Sequence, residues 1–260
     1  MSTAVLEGVS LTYDVEGAGE PLLLIQGLGY GRRGWGPAPA LLAHRFRVVS
    51  FDNRGFGASD APPGPYTTAQ LAQDALAVLD ATEIDTAHVI GISLGGMVAQ
   101  ELVLARPERV RKLVLCSTTP GGATSVPMPQ QTVALMGRQA ELDPQEALRL
   151  FVVNALSPDP PAELVEEIVA YRAANPPHPA GWWAQAAAGA AHDAMARLGA
   201  IHLPTLIVHG TADNVVDVGN APLLAEGIPG ARLALFEGVG HLLPWERPAE
   251  FTALVEEFLA

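Results

Sequence analysis

From Val9 to Val15 apolar and polar positions partly alternate, and the turn Gly17-Ala18-Gly19 follows. A period of two marks strands with one exposed face, here a half-exposed strand pair. The next segment, Pro21-Leu22-Leu23-Leu24-Ile25, is apolar on both faces, and a second such strand reads Phe46-Arg47-Val48-Val49-Ser50-Phe51. Runs of this kind belong to strands covered from both sides. Between them, Pro37 to Ala43 predicts a short crossover helix, which gives the order strand, helix, strand.

The alternation continues. Thr68 is placed to cap a helix through about Leu79, with Leu71, Ala75 and Val78 on one stripe. His88-Val89-Ile90-Gly91-Ile92 is strand-like, Leu94 to Leu104 is helix-like and stops before Pro107, and Lys112 to Cys116 is again strand-like. After Leu203 the pattern resumes with a strand from Pro204 to His209, a helix near Ala221 to Glu226, a strand from Arg232 to Phe236 and a last helix from Pro248 to Leu259. Strands and helices in turn predict an α/β domain: a mainly parallel sheet with helices on both faces.

Between Pro120 and Ala200 the strand signal disappears. Asp143-Pro144 reads as a cap followed by a first-turn proline, and Leu164, Ile168 and Tyr171 fall at i, i+4 and i+7. Ala184 to Ala191 is alanine-rich and helical in character, and prolines at 158, 160, 161, 176, 177 and 179 punctuate the pieces. The predicted organisation is a core domain of residues 1–119 and 201–260 and a helical insertion over residues 120–200 that sits above the sheet.

Composition narrows the function classes. The 260 residues carry 28 acidic against 15 basic side chains, a formal charge of -13. Such a surface repels phosphates and anionic lipid headgroups, which argues against nucleic acid and membrane partners. The single cysteine, Cys116, lies in an apolar run, forbids an intramolecular disulfide framework and reads as a core residue. The N-terminus shows no basic stretch followed by an apolar one, and no apolar segment is long enough to span a bilayer, so a cytoplasmic location is the expectation.

The most informative stretch is the strand ending at Ile92 that runs into Gly91-Ile92-Ser93-Leu94-Gly95 and then a helix. A GxSxG turn needs that context, because a sharp turn lifts the serine hydroxyl above the sheet and leaves no room for side chains beside it. A serine at neutral pH needs a base within hydrogen-bond reach. Of the seven histidines, His241 is the best placed, in the loop between the last predicted strand and the last helix. His209, at the end of an apolar strand, reads as structural. The base needs a buried acceptor to fix its tautomer. Asp213, in the loop after the strand ending at His209, is the first choice and Asp217 the rival. The corresponding position after the preceding strand reads Ser117-Thr118-Thr119 and offers no carboxylate. The oxygen of a tetrahedral intermediate needs amide donors, and the N–H groups of Leu94 and, in the loop Gln26-Gly27-Leu28-Gly29, of Leu28 are the candidates. No GxGxxG appears in that loop, so a dinucleotide site is not indicated, and no metal or organic cofactor is expected.

The runs GISLGG, QGLG, Asp52-Asn53-Arg54-Gly55-Phe56-Gly57-Ala58-Ser59, HGTAD and GVGHLLPWERP together resemble the α/β-hydrolase fold superfamily across nearly the whole chain. Within it, the likeness is to small bacterial esterases, enol-lactonases and carbon-carbon bond hydrolases with a helical cap. The resemblance implies an eight-stranded, mostly parallel sheet, a triad of Ser93, Asp213 and His241, oxyanion donors Leu28 and Leu94, and a cap that shapes the acyl pocket. Gly27, Leu28, Leu94, Trp182 and Leu242 are the expected substrate contacts. Many relatives have histidine where Gln26 stands, a departure that touches the support of the oxyanion loop. A serine nucleophile argues against dehalogenase and epoxide hydrolase chemistry.

The expected activity is hydrolysis of a carboxylic ester of a small, largely apolar substrate through an acyl-enzyme. Enol-lactone hydrolysis, carbon-carbon cleavage of a vinylogous diketone and perhydrolysis need the same apparatus and stay open, as does a non-catalytic ligand receptor. Arg54 could bind a substrate carboxylate or brace neighbouring loops. Either Trp182 or Trp183 could line the pocket, and Trp245 could touch substrate or anchor the last helix. The partner is a small molecule, and oligomeric state is open.

Overall fold

A computed structural model describes residues 2–260. The strands are β1 (Ser2–Leu6), β2 (Val9–Glu16), β3 (Glu20–Ile25), β4 (Phe46–Phe51), β5 (Ala87–Ile92), β6 (Val110–Cys116), β7 (Thr205–Gly210) and β8 (Arg232–Phe236). They form one eight-stranded sheet in the order β1-β2-β4-β3-β5-β6-β7-β8. β2 pairs antiparallel with β1 and β4, and every other neighbouring pair is parallel. Helices α1 (Ala38–Leu42), α2 (Thr68–Ala81) and α3 (Leu94–Ala105) alternate with the strands. Between β6 and β7 lie α4 (Gln130–Arg138), α5 (Pro144–Asn154), α6 (Ala162–Ala174) and α7 (Pro179–Ala190), and the chain ends with α8 (Asn220–Gly227), α9 (Leu243–Glu246) and α10 (Pro248–Leu259).

The apolar runs are covered from both sides, as their composition requires. Successive side chains of a strand point to opposite faces. Leu23, Ile25, Val89, Leu113, Leu115 and Ile207 pack with α2, α3 and α8, whereas Leu22, Leu24, Ile90, Val114, Leu206 and Val208 pack with α1 and α10. Cys116 is fully buried in the second of these cores, and burial pushes its thiol up to about 12, so it is an inert core residue.

Three local details depart from the sequence pattern. The cap of α2 is Thr67, not Thr68: Thr67 is extended (φ -128, ψ 155) and accepts from the Gln70 N–H at 3.0 Å, while Thr68 is already helical. β1 has no readable period because only Ala4 of its five residues is buried. The four-residue α9 is too short to show one. Asp143 does cap α5, accepting from Gln145 and Glu146.

The helices between β6 and β7 are seated over the strand ends by a small core of their own. Val152, Ala155, Leu156, Val165 and Ile168 pack there with Tyr30, Leu242 and Trp245. The two chain crossings into this insertion are zipped together, Gly122 N–H donating to His192 O at 3.1 Å and Ala194 N–H to Pro120 O at 2.9 Å. His192 is buried there, with Nδ1 3.1 Å from Thr68 Oγ1 and 3.5 Å from Glu101 Oε1. Glu101 is itself gripped by Arg197 through two oxygens.

Burial lowers the His192 pKa to about 4 despite the pull of Glu101. The unfolded chain therefore binds a proton at this residue below the ordinary value near 6.5 that the native state does not bind until about 4. Stability is lost as pH falls through that window, by up to about 3 kcal/mol from this residue. Urea unfolding of the native protein and of His192→Gln at several pH values should show the native protein losing stability relative to the variant between pH 6.5 and 4. A constant difference across that range would refute the assignment.

Candidate active site

Ser93 occupies the single residue between β5 and α3, and its backbone is left-handed, with φ 55 and ψ -123. A side chain in this region is strained by about 1–3 kcal/mol and persists only where its surroundings enforce it. The surroundings here are glycines. A Cβ on Gly95 would stand 1.9 Å from Ile25 O, and one on Gly91 would stand 2.3 Å from Gly95 O. The helix is thus pressed against the sheet too closely for a gradual turn. Ser93 is the N-cap residue of α3 yet makes no side-chain capping bond, so its hydroxyl is not spent on the helix. Its carbonyl is fixed instead, accepting from Thr118 Oγ1 at 2.7 Å.

Asp213 and His241 come together from the loops after β7 and β8. His241 Nδ1 lies 2.8 Å from Asp213 Oδ2, and both residues are buried. Asp217 is used locally, accepting from Gly219 N–H at 2.8 Å, and does not meet the imidazole. Asp213 Oδ1 accepts from the Val215 and Val216 N–H groups at 2.8 and 2.9 Å. Burial alone would raise this carboxyl, but His241, His209 and their hydrogen bonds hold it well below the usual carboxylate range. Asp213 is therefore an anion at any neutral pH and fixes the proton of His241 on Nδ1, which leaves Nε2 as the basic atom. The Ser93 hydroxyl and His241 Nε2 form no hydrogen bond with each other in this structure; such bonds often tighten only when a substrate is seated.

His209, read from sequence as structural, is a direct neighbour of the acid. Its Nε2 lies 3.1 Å from Asp213 Oδ2 and 3.0 Å from Val216 O, and its side chain is fully buried. The signal was its position at the end of β7, four residues before Asp213. Glu246 was missed altogether. Its two oxygens accept from Gly240 N–H at 2.9 Å and Ser157 N–H at 2.8 Å, tying the loop that carries His241 to the end of α5. Ala155 O adds a second tie, accepting from His241 N–H at 2.8 Å.

The loop after β3 closes the site from the other side. A Cβ on Gly27 would meet Ser93 Cβ at 2.9 Å, so the loop touches the serine. The Gly27 N–H is taken by Gln26 Oε1 at 2.7 Å, while the N–H groups of Leu28 and Leu94 have no hydrogen-bond partner among the described residues. The departure at position 26 is absorbed by the amide: Gln26 Nε2 donates to Gly34 O at 2.7 Å while Oε1 holds the loop. Asn53 Nδ2 fastens the Gln26 carbonyl at 3.0 Å. Trp245 Nε1 also reaches Gly34 O, at 2.8 Å, so this tryptophan anchors the loop.

The remaining candidates separate clearly. Arg54 is buried and braces, bound to Asp74 through Nε at 2.6 Å and Nη2 at 2.5 Å. Leu94 faces α7, its Cδ1 3.3 Å from the Cβ position of Gly189. Trp182 reaches the loop at Gly29, whereas Trp183 is 67% exposed. Leu242 is packed in the small core under the insertion. A separate cleft of about 600 Å³ beside β2 contains Ser2 and Ser50 but no histidine, so it offers no activated nucleophile. Among the described residues no group of His, Cys, Asp and Glu is arranged to hold a metal ion, and no helix is long and apolar enough to cross a membrane.

A family model described as alpha/beta hydrolase fold matches residues 20–248. The 2-hydroxy-6-oxononadienedioate/2-hydroxy-6-oxononatrienedioate hydrolase of Paraburkholderia xenovorans is 31% identical over 97% of this chain and 91% of its own. Among solved structures, a hydrolase from Pseudomonas aeruginosa PA01 is 36% identical, covers 100% of this chain and 98% of its own, and superposes with a TM-score of 0.84. The enol-lactonase from Burkholderia xenovorans LB400 is 28% identical, covers 99% of both chains and gives a TM-score of 0.85.

Gln26→Leu tests the bracing of the loop. Gly34 O would keep Trp245 Nε1, but the buried Gly27 N–H would lose its only partner. The variant should be destabilised by about 1–3 kcal/mol in chemical denaturation, and an unchanged midpoint would show that the amide braces nothing.

Proposed function

This chain belongs to the alpha/beta hydrolase fold family, and from that premise we propose that it is a serine hydrolase cleaving a carboxylic ester through an acyl-enzyme. The observation that carries the reading is the combination of a strained Ser93, free of any capping role, with a His241 whose Nδ1 is held by a buried anionic Asp213. The packing forces the turn at that point, where a glycine would meet it without strain, and a serine held there in strain is of the kind that collects where a group must be presented.

In this mechanism His241 Nε2 takes the proton of Ser93 as the serine oxygen attacks the carbonyl carbon. Asp213 stabilises the imidazolium that forms and does not itself take the proton. The N–H groups of Leu28 and Leu94 receive the oxyanion, and the positive end of α3 adds to the field there. Collapse of the tetrahedral intermediate expels the alcohol, which takes its proton from His241. Water then repeats the sequence on the acyl-enzyme and restores the serine.

A second reading has support from the comparisons: one relative is named for hydrolysis of a 2-hydroxy-6-oxononadienedioate and another is an enol-lactonase. Both bonds are broken next to a carbonyl carbon, so the same serine, imidazole and amide donors serve.

Incubation with a fluorophosphonate followed by peptide mapping should place the label on Ser93. Ser93→Ala should lower turnover of p-nitrophenyl esters by about a millionfold. Near-normal turnover in that variant, or a label on another residue, overturns the mechanism. A protein that turns over no ester in a chain-length series but cleaves an enol-lactone or a vinylogous diketone with Ser93 intact supports the second reading. One that turns over none of them and still binds such ligands tightly is a receptor.

A further inference from the structure

Ser117, like Ser93, is a buried residue with left-handed backbone at the end of a central strand, and the mechanism above gives it no task. It follows β6 at φ 44. The strain breaks the extended course of the strand between two residues that both touch Ser93. On one side Cys116 O accepts from the Ser93 N–H at 3.0 Å, and on the other Thr118 Oγ1 donates to Ser93 O at 2.7 Å. Thr118 is 1% exposed, and its hydroxyl makes no other hydrogen bond among the described residues.

The seat for Thr118 is cut into α3 by a glycine that the GxSxG turn does not require. A Cβ on Gly96 would stand 2.6 Å from Thr118 Cβ, Cγ2 and Oγ1 alike, so a larger residue there would push the threonine off the helix. Gln100 Nε2, one turn further along α3, donates to Thr119 O at 3.0 Å and to Gly96 O at 3.2 Å and keeps the two segments together. Ser93 O also accepts from the Gly96 and Met97 N–H groups of its own helix, at 2.9 and 3.3 Å. The threonine contact is shorter than either and is the one that comes from outside the helix.

We propose that Thr118 is a positioning residue for the oxyanion donor: by holding Ser93 O it aims and polarises the Leu94 N–H. The inference rests on the serine hydrolase reading and deepens it. Ser93 O and the Leu94 N–H belong to one trans peptide group, which is planar, so they point in opposite directions and neither turns without the other. A hydrogen bond accepted by the carbonyl draws charge toward its oxygen and makes the N–H of the same group a stronger donor. The φ and ψ of Ser93 are the rotations between the peptide groups before and after it. The end of β6 holds the first group through Cys116 O and the second through Thr118, and so keeps the strained turn from relaxing.

Thr118→Val removes the hydroxyl and keeps the shape. It strands no acceptor, because Ser93 O retains two N–H donors. In this variant kcat for p-nitrophenyl butyrate should fall about tenfold. KM should change little, since acylation and deacylation use the same amide, and the midpoint of chemical denaturation should stay close to native. Thr118→Ser should restore most of kcat, and Thr118→Ala should behave as valine does. A more direct readout is an alkyl trifluoromethyl ketone labelled with carbon-13 at its carbonyl. The Ser93 oxygen adds to that carbon, the serine proton passes to His241, and the ketone oxygen becomes an anion facing the Leu28 and Leu94 amides. Titration of the adduct by NMR should find the hemiketal hydroxyl about tenfold less acidic in Thr118→Val than in the native protein. Native kcat and native acidity in the variant overturn the positioning role, and the native protein's own turnover then leaves the serine mechanism standing. Loss of kcat together with a raised KM and a lowered midpoint, with Thr118→Ser no better than valine, overturns it too, since that is what general loosening of the turn after β6 predicts. A native protein that forms no adduct and hydrolyses no ester removes the mechanism and the positioning role together.

Discussion

The closeness of α3 to β3 and β5 is the constraint on which the top of this molecule depends. With Gly95 in contact with the Ile25 carbonyl and Gly91 in contact with Gly95, the chain must reverse within one residue. That residue pays in backbone strain, and its side chain is thrown clear of both the sheet and the helix. The same approach brings the Leu94 amide to the level of the loop after β3, so that two unpartnered N–H groups and one uncommitted hydroxyl share a small volume. A helix set further from the sheet would relieve the strain and separate them.

The opposite wall is built by electrostatics. Asp213 takes hydrogen bonds on both oxygens, two from backbone amides and one from His241, with His209 Nε2 a further 3.1 Å from Oδ2, in a place where water cannot reach it. An unpaired buried carboxylate would take up a proton and lose its grip on His241. These contacts keep the charge, and the charge keeps the imidazole in one tautomer. His209 is the member of this group that adds nothing to a proton relay directly. It stands beside Oδ2 while donating to Val216 O, in the same turn whose amides hold Oδ1. Glu246 has a similar relation to the histidine loop, fixing backbone and not the ring.

Much of this was legible in the sequence, for physical reasons that also explain the gaps. Strands covered on both faces must be continuously apolar, so β3, β5, β6 and β7 could be read without neighbours, and the GxSxG turn could be located at the end of one of them. The neighbourhoods of Asp213 and His241 followed from where β7 and β8 end. What the sequence lacked was distance across loops. Nothing local distinguishes Asp213 from Asp217, or reveals that His209 and Glu246 would serve the same two loops. Gln26 looked like a departure and is a substitute, because one amide can both accept from Gly27 and donate to Gly34. Thr67 and Thr68 are the same residue type, and only the fold separates their tasks, Thr67 capping α2 and Thr68 meeting His192.

The insertion is a structural part of the site and not a cover laid over it. α5 ends in the carbonyl that holds the His241 backbone, and α6 and α7 bring Tyr171, Arg172 and Trp182 to the loop that carries Leu28. Each side of the candidate site is therefore supported from above as well as from the sheet. An insertion that lifted as a rigid body would release both loops together, and His241 and the Leu28 and Leu94 amides would shift relative to Ser93 in one event. The roots of the insertion are accordingly buried and cross-linked by hydrogen bonds at Pro120, Gly122 and His192. Because these helices touch the loops directly, substitutions in them that alter pocket shape also alter how the loops are held. Under the proposed mechanism, selectivity and rate would be coupled through the same contacts, which is why a pattern of apolar periods can announce the insertion without disclosing what it selects.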